Sequence, residues 1–166
     1  MKVTDQLNRT VSIPKNPKRI ISLVPSQTEL LVDLGLADRI VGVTKFCIHP
    51  KGLKQEKTII GGTKNFNFEK IKALKPDLII GNKEENYKEG IEKLEQDFPI
   101  WMSDIYTIWD ALDMILSIGK ITDSEEKANH LWKEINNKRN LLLEQNRVKQ
   151  KALYLIWKNP YMAAGN

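Results

Sequence analysis

This 166-residue chain has almost no cysteine and no long apolar stretch. Its single cysteine, Cys47, excludes an internal disulfide framework. No run approaches the ~18 consecutive apolar residues that a membrane-spanning helix requires. The opening residues Met1–Gln6 lack the apolar segment of a signal peptide. Two locations therefore fit the sequence: the cytoplasm, or the periplasm or cell envelope if a signal peptide has been removed.

Charge clustering of the kind that contacts nucleic acid is also missing. The net charge is +5, and residues 1–60 hold all of the excess, with 10 Lys/Arg against 5 Asp/Glu, whereas residues 61–166 hold 16 of each. These charges are dispersed along the chain, whereas nucleic-acid-binding domains usually carry a basic stripe or patch. We therefore expect no nucleic acid among the partners.

The chain does contain short apolar runs that alternate with amphipathic segments. Lys2–Pro14 has the turn and period-two pattern of a small hairpin. The alternation after it predicts an α/β fold with a Rossmann-like, doubly wound parallel sheet. The predicted strands are Arg19–Val24, Ile40–Val43, Thr58–Ile60, Asp77–Ile80 and Ile100–Met102, and the predicted helices are Ser26–Gly35, Asn67–Lys75, Glu85–Gln96 and Thr107–Leu116.

Capping residues mark the starts of three of these helices. Ser26 precedes Glu29 by three residues, which is the spacing of a capping box. Thr107 and Asp110 have the same spacing, with Asp in place of the usual Glu. Asn67 is the predicted N-cap of its helix.

The last part of the chain differs from the rest. A helix is predicted from Asp123 to about Val148, without internal Pro or Gly, and its length would be roughly 36 Å. The strand Lys151–Trp157 follows it, nine residues before Asn166. No helix follows this strand in the sequence, so we expect a domain that is cut short and self-association through the unpaired edge of the strand. The helix has one apolar stripe, formed by Ala128, Leu131, Trp132, Ile135 and Leu142.

Ligands of doubly wound sheets bind beyond the carboxyl ends of the strands. The loops predicted there are rich in polar and aromatic residues, which fits either a binding crevice or ordinary surface loops. No nucleotide-binding glycine motif and no nucleophile elbow occurs. Cys47 and His49 are competent metal ligands, but a site would need a third ligand from Asp104 or Glu85.

Four segments resemble the cobalamin/ferric-siderophore substrate-binding proteins of ABC importers. The first is Arg19–Val43 (RIISLVPSQTELLVDLGLADRIVGV), and the second is Leu74–Ile80 (LKPDLII). Lys45–Pro50 (KFCIHP) and Ile60–Phe66 (IGGTKNF) are most similar to the cobalamin-binding-like branch, the helical-backbone metal receptors. The resemblance covers nearly the whole chain.

This resemblance implies two Rossmann-like lobes joined by one long helix, with the ligand held between them. Residues 1–121 would be the N-terminal lobe, residues 122–149 the connecting helix, and residues 150–166 the start of a C-terminal lobe. The function implied is non-enzymatic: binding of a cobalamin-type (corrinoid), haem or ferric-siderophore/metal-chelate ligand and delivery to an ABC permease in the membrane. The family docks through a surface glutamate after the fourth strand; the alignment falls on Lys88, next to Glu89.

Together, the predicted loops and the resemblance identify candidate ligand-binding residues and no catalytic, cofactor or metal-ligating ones. A small metal-dependent hydrolase using Cys47, His49 and Asp104 is the alternative, and an interaction module that pairs through its C-terminal strand is a third interpretation. The candidates are Ser26, Gln27, Phe46, Cys47, His49, Lys64, Asn65, Asn82, Tyr87 and Tyr106, with Glu89 for permease docking.

Overall fold

The computed structural model describes residues 1–145, 151 and 153–164. The chain divides into a compact unit at residues 1–134 and a second unit at residues 135–166. The predicted division into lobe, connecting helix and second lobe stays a prediction. Among the described residues, no helix combines the length and apolarity that a membrane span would need.

The first unit is built on a five-stranded sheet in which every neighbouring pair of strands is parallel. The strands lie in the order Thr58–Ile59 (β5), Ile40–Val43 (β4), Ile20–Ser22 (β3), Leu78–Asn82 (β8) and Ile100–Ser103 (β9). This confirms the predicted α/β class. The N-terminal hairpin of β1 and β2 is also confirmed, and β6 and β7 form a small additional hairpin. The strands are β1 (Lys2–Thr4), β2 (Thr10–Ser12), β3 (Ile20–Ser22), β4 (Ile40–Val43), β5 (Thr58–Ile59), β6 (Gly61–Gly62), β7 (Asn65–Phe66), β8 (Leu78–Asn82) and β9 (Ile100–Ser103).

Helices follow the strands, as the alternation predicts. A 3₁₀ turn at Ala37–Arg39 and the short α2 were not predicted. The helices are α1 (Pro25–Asp33), α2 (Leu53–Glu56), α3 (Phe68–Leu74), α4 (Lys88–Glu95), α5 (Ile108–Thr122) and α6 (Glu125–Glu144).

Apolar residues of the central strands are buried on both faces of the sheet. Ile21, Ile79 and Met102 belong to one buried cluster that includes residues of α3 and α4. Trp101, the neighbour of Met102 in β9, is fully buried and lines a groove with residues of α5. Successive strand residues point to opposite faces, so continuous apolar runs are what a doubly covered sheet requires.

Local capping signals were correct at two of the three predicted helix starts. The Asn67 side chain accepts a hydrogen bond from the backbone N–H of Lys70. Thr107 and Asp110 form a reciprocal capping box at the start of α5. The prediction for Ser26 is wrong, because α1 begins one residue earlier, at Pro25, and Ser26 already lies inside the helix. Proline fits the first helical position because the N–H that it lacks would have no partner there.

Helix α6 runs from Glu125 to Glu144, so it begins two residues later than the predicted Asp123. Residues 146–148 of that prediction lie outside the described residues. At its start, α6 lies very close to α5, since a Cβ at Gly119 would collide with the Cβ of Ala128. A larger residue than glycine would therefore separate the two helices.

The second unit contains the hairpin of β10 (Tyr154–Lys158) and β11 (Tyr161–Ala164). The predicted strand Lys151–Trp157 is thus present but begins three residues later, and Ala152 lies outside the described residues. Every described side chain of this hairpin is exposed.

Candidate functional site

The carboxyl ends of all five parallel strands meet at one edge of the sheet, called the carboxyl edge here. Five segments lie there: residues 24–29 after β3, which include the first turn of α1, 44–50 after β4, 61–66 after β5, which include the hairpin of β6 and β7, 82–87 at the end of β8, and 103–107 at the end of β9. All ten predicted ligand-binding residues belong to these segments. Their role in ligand contact stays a proposal.

Exposure divides the ten candidates into two groups. Phe46 is 50% exposed and Tyr106 is 71% exposed, so both present apolar ring surface to solvent. Four polar candidates are exposed as well, namely Ser26, His49, Lys64 and Asn65. The remaining four lie beneath the exposed residues of the edge and are buried or half-buried: Gln27, Cys47, Asn82 and Tyr87.

Gln27 and Asn82 connect the segments after β3, β8 and β9. The Gln27 side-chain Nε2 donates to the Gly81 carbonyl oxygen at 3.1 Å and to Ser103 Oγ at 2.6 Å. Asn82 Nδ2 donates to the same Ser103 hydroxyl at 3.0 Å. Buried polar groups need such partners, and a shared network fixes the relative positions of the three segments.

Cys47 connects the segments after β3 and β4. Its Sγ lies 3.2 Å from Thr28 Oγ1 and 3.3 Å from Thr44 Oγ1, and the residue is fully buried. Thr28 Oγ1 also donates to Ser22 Oγ at 2.8 Å. Because the sulfur is enclosed by these hydroxyls, it is not available to a metal or a ligand at the surface.

Asn86 is the residue that sequence reasoning missed. It is only 5% exposed, and its Nδ2 donates to the carbonyl oxygens of Thr63 (3.1 Å) and Leu23 (3.4 Å). Its Oδ1 accepts from the backbone N–H of Asn82 at 2.9 Å. One amide therefore joins the ends of β3 and β8 to the turn between β6 and β7. No local motif marks this role, because two of the partners lie 23 and 63 residues away in sequence.

Lys83 holds Tyr106 in place across the gap between the segments after β8 and β9. Its Nζ lies 2.7 Å from Asp104 Oδ2, donates to Tyr106 Oη at 3.2 Å, and stands 5.5 Å from the centroid of the Tyr106 ring. The hydrogen bond to Asp104, followed by that to Tyr106, raises the pKa of Lys83 above its ordinary value. The Lys83 ammonium group thus contacts both Asp104 and Tyr106 of the segment after β9.

Two further lysines of the carboxyl edge have partners within it, and one of them, Lys64, links two segments. Lys64 Nζ donates to the carbonyl oxygen of Glu84 at 2.6 Å and reaches that of Asn86 at 3.5 Å. Lys45 Nζ stands 5.1 Å from the centroid of the Phe46 ring. Cations within ~6 Å of an aromatic centroid are attracted by the ring quadrupole. Both exposed rings of the carboxyl edge thus have an ammonium group beside them.

Tyr87 packs as part of the core below the edge. Its ring centroid lies 4.9 Å from that of Phe66, and a Cβ at Gly90 would collide with the tyrosine ring. Gly90 is therefore needed for this ring to fit against the first turn of α4. The candidate docking residue Glu89 is exposed in that turn.

The metal-dependent hydrolase receives no support from this geometry. Within residues 1–145, 151 and 153–164, no three His, Cys, Asp or Glu side chains are grouped so that they could hold a metal ion. Cys47 is enclosed, and the Asp104 carboxylate is paired with Lys83.

Comparison with known proteins agrees with the fold. An uncharacterized ABC transporter substrate-binding lipoprotein, YvrC of Bacillus subtilis, is 34% identical over 140 residues, which are 81% of this chain and 44% of that protein. A vitamin B12-binding protein of Vibrio vulnificus is 34% identical over 119 residues, 70% of this chain and 43% of that protein. The chain thus spans less than half the length of these curated relatives.

A solved structure of a related protein has a similar fold. The periplasmic vitamin B12-binding protein BtuF of Vibrio cholerae superposes with a TM-score of 0.77 at 28% identity, covering 89% of this chain and 59% of that one. The family described as "Periplasmic binding protein" matches residues 20–166, nearly the whole chain. This chain belongs to the periplasmic binding protein family, whose members are binding proteins rather than enzymes.

Proposed function

We propose that this chain supplies a ligand-binding lobe of the substrate-binding component of an ABC importer. The ligand would be a cobalamin-type compound, haem, or a ferric siderophore or other metal chelate. The observation that carries the proposal is the carboxyl edge. Hydrogen bonds of buried side chains connect its segments, and Phe46 and Tyr106 are exposed there. The names of the relatives support the ligand class, since several bind vitamin B12.

In this proposal, residues 1–121 form the N-terminal lobe, residues 122–149 the connecting helix, and residues 150–166 the start of a second lobe that faces the same ligand. The importer would operate at the cell envelope, in line with the lipoprotein and periplasmic names of the relatives. Ligand specificity would come from exposed residues of the edge, with the buried network keeping them in a fixed arrangement.

The test is a titration of the isotope-labelled 166-residue chain with cyanocobalamin, haemin and ferrichrome, followed by amide chemical shifts. We expect at least one probe to shift amides of residues 44–50 and 103–107 and to leave those at the amino ends of the strands, such as Arg19 and Asp77, unchanged. The bound probe should be recovered chemically intact. Shifts scattered over the whole unit, or no shift with any of the three, would contradict the proposal.

Glu89 is the proposed contact with the permease. Its position in the exposed first turn of α4 leaves the carboxylate accessible. Glu89→Lys should weaken stimulation of the permease ATPase, whereas Glu92→Lys, exposed one turn later in the same helix, should leave it nearly unchanged. Equal effects of the two variants would show that the general charge of α4 matters, and not a specific contact at Glu89.

The second hairpin supports one further candidate activity, self-association. Among the described residues, β10 pairs only with β11, so its other edge has free backbone donors and acceptors. Trp157 is 63% exposed and Leu155 is half exposed. A chain shortened after residue 149 should sediment as a monomer at concentrations where the intact chain forms dimers. A monomeric intact chain at high concentration would refute self-association.

A further inference from the structure

The tip of the N-terminal hairpin reaches the carboxyl edge, although none of its residues is among the ten candidates. The backbone N–H of Gln6 donates to the carbonyl oxygen of Met102, in β9, at 3.1 Å. Gln6 is half-buried, and its side chain is directed toward the segment that carries Tyr106. The hairpin is therefore in direct contact with the strand that ends in this segment.

The Gln6 side chain closes the turn in which Tyr106 lies. Its Oε1 accepts a hydrogen bond from the backbone N–H of Asp104 at 3.1 Å. Its Nε2 donates to the carbonyl oxygen of Asp110 at 2.8 Å and reaches Asp113 Oδ2 at 3.2 Å. The Asp110 carboxylate in turn accepts from the backbone N–H of Tyr106 at 3.0 Å. One amide thus fixes the chain on both sides of Tyr106.

Asp5 fixes the position from which Gln6 makes these contacts. The Asp5 side chain is buried, and its Oδ1 accepts from the backbone N–H groups of Leu7 (3.0 Å) and Arg9 (2.9 Å). Its Oδ2 accepts from Arg9 Nε at 2.8 Å and from the backbone N–H of Met102 at 3.3 Å. Because one carboxylate joins the hairpin tip to itself and to β9, the tip has a defined position against the strand.

The orientation of Tyr106 depends on this turn, because packing contributes little to it. The residue is 71% exposed. Its hydroxyl accepts a hydrogen bond from Lys83 Nζ at 3.2 Å, and the Lys83 side chain is itself 46% exposed. A side chain that must first be ordered when a ligand binds weakens the affinity by roughly two- to tenfold. A turn that is fixed beforehand avoids this loss.

Resting on the proposed function, we infer that Gln6 is a positioning residue for ligand binding. Gln6 does not itself touch the ligand. It holds the turn so that the Tyr106 ring has a set orientation at the carboxyl edge before the ligand arrives. The N-terminal hairpin therefore contributes to ligand affinity through Tyr106, in addition to what it contributes to stability.

Gln6→Met tests the inference on the intact 166-residue chain, because it removes both hydrogen-bonding groups and keeps a side chain of similar length. The chain and its variants are titrated with cyanocobalamin, haemin and ferrichrome under conditions in which each variant is folded, and the amides of residues 103–107 are followed. For a probe that binds the unsubstituted chain, Gln6→Met should weaken binding by roughly two- to tenfold.

Two control variants separate this effect from a general one. Gln96→Met makes the same substitution at an exposed residue after the end of α4. Val11→Ala weakens the Val3–Val11 pair of the same hairpin and leaves the contacts of Gln6 in place. Both controls should leave the affinity nearly unchanged.

A double-mutant cycle with Tyr106→Ala shows whether Gln6 acts through the tyrosine. If it does, Gln6→Met should weaken binding no further once the ring has been removed. Hydrogen exchange gives a readout without a ligand. The backbone N–H of Asp104 should exchange faster in Gln6→Met and not in Val11→Ala, because only Gln6→Met removes the oxygen that accepts from it.

The possible results separate the inference from the function on which it rests. If a probe binds and Gln6→Met or Tyr106→Ala leaves its affinity unchanged, the inference is overturned and the proposed function stands. An equal loss from Gln6→Met with and without the Tyr106 ring would also overturn the inference, because Gln6 would then act by another route. If none of the three probes shifts the amides of residues 103–107, the proposed function and the inference both fail.

Discussion

Asn86 should contribute more to stability than any other exposed or buried asparagine of the carboxyl edge, because one side chain joins three loops. Asn86→Ala removes the hydrogen bonds to Thr63 (3.1 Å), Leu23 (3.4 Å) and Asn82 (2.9 Å). Each short bond contributes about 1 kcal/mol net, and a buried group left without a partner costs about 1–3 kcal/mol. With the long bond counted as minor, the free energy of unfolding should fall by about 3 kcal/mol.

Urea unfolding followed by circular dichroism measures this loss. With an m value of about 2 kcal/mol/M, the unfolding midpoint should fall by about 1.5 M urea. Asn65→Ala is the matched control, because Asn65 lies in the same region but is exposed, and its effect should stay within about 0.5 kcal/mol. If Asn86→Ala unfolds at the same urea concentration as this control, the network does not hold the loops together.

Three further results are expected. Hydrogen bonds from Thr107 hold the pKa of Asp110 below its ordinary value. The stability that this carboxylate contributes to the α5 cap is therefore present above the unfolded-state pKa and is lost as pH falls through the folded-state pKa. In Thr107→Ala, an NMR titration should find a higher pKa for Asp110. Gly61→Ala should lower the melting temperature much more than Gly52→Ala, because both glycines have positive φ but only at Gly61 would the new Cβ collide with a backbone carbonyl oxygen; equal melting temperatures would refute this. Cys47 should react with a thiol reagent only as fast as the protein opens, so rapid labelling under native conditions would contradict its burial.

The fold class was predictable because its signals are local or periodic. Consecutive apolar residues at Ile20 and Ile21 and at Leu78, Ile79 and Ile80 indicate strands buried on both faces. Asn67 and Thr107 cap helices through contacts three residues away, which a sequence displays directly. Ser26 misled the prediction because Pro25 can occupy the first helical position, and two local preferences then compete for one helix start.

The sequence by itself determined the five parallel strands and the main helices that follow them, and with these the set of segments at the carboxyl edge. The parallel direction of the strands then brings those segments together, since parallel strands end at the same edge whichever strands are neighbours. Only the tertiary structure decided which loop residues face solvent. Cys47 and Gln27 were equal candidates with Phe46 and Tyr106, yet the first two are buried in a hydrogen-bonded network and the last two are exposed. The physical reason is that the burial of a polar loop residue depends on partners from distant loops, which only the packed sheet brings within hydrogen-bonding distance.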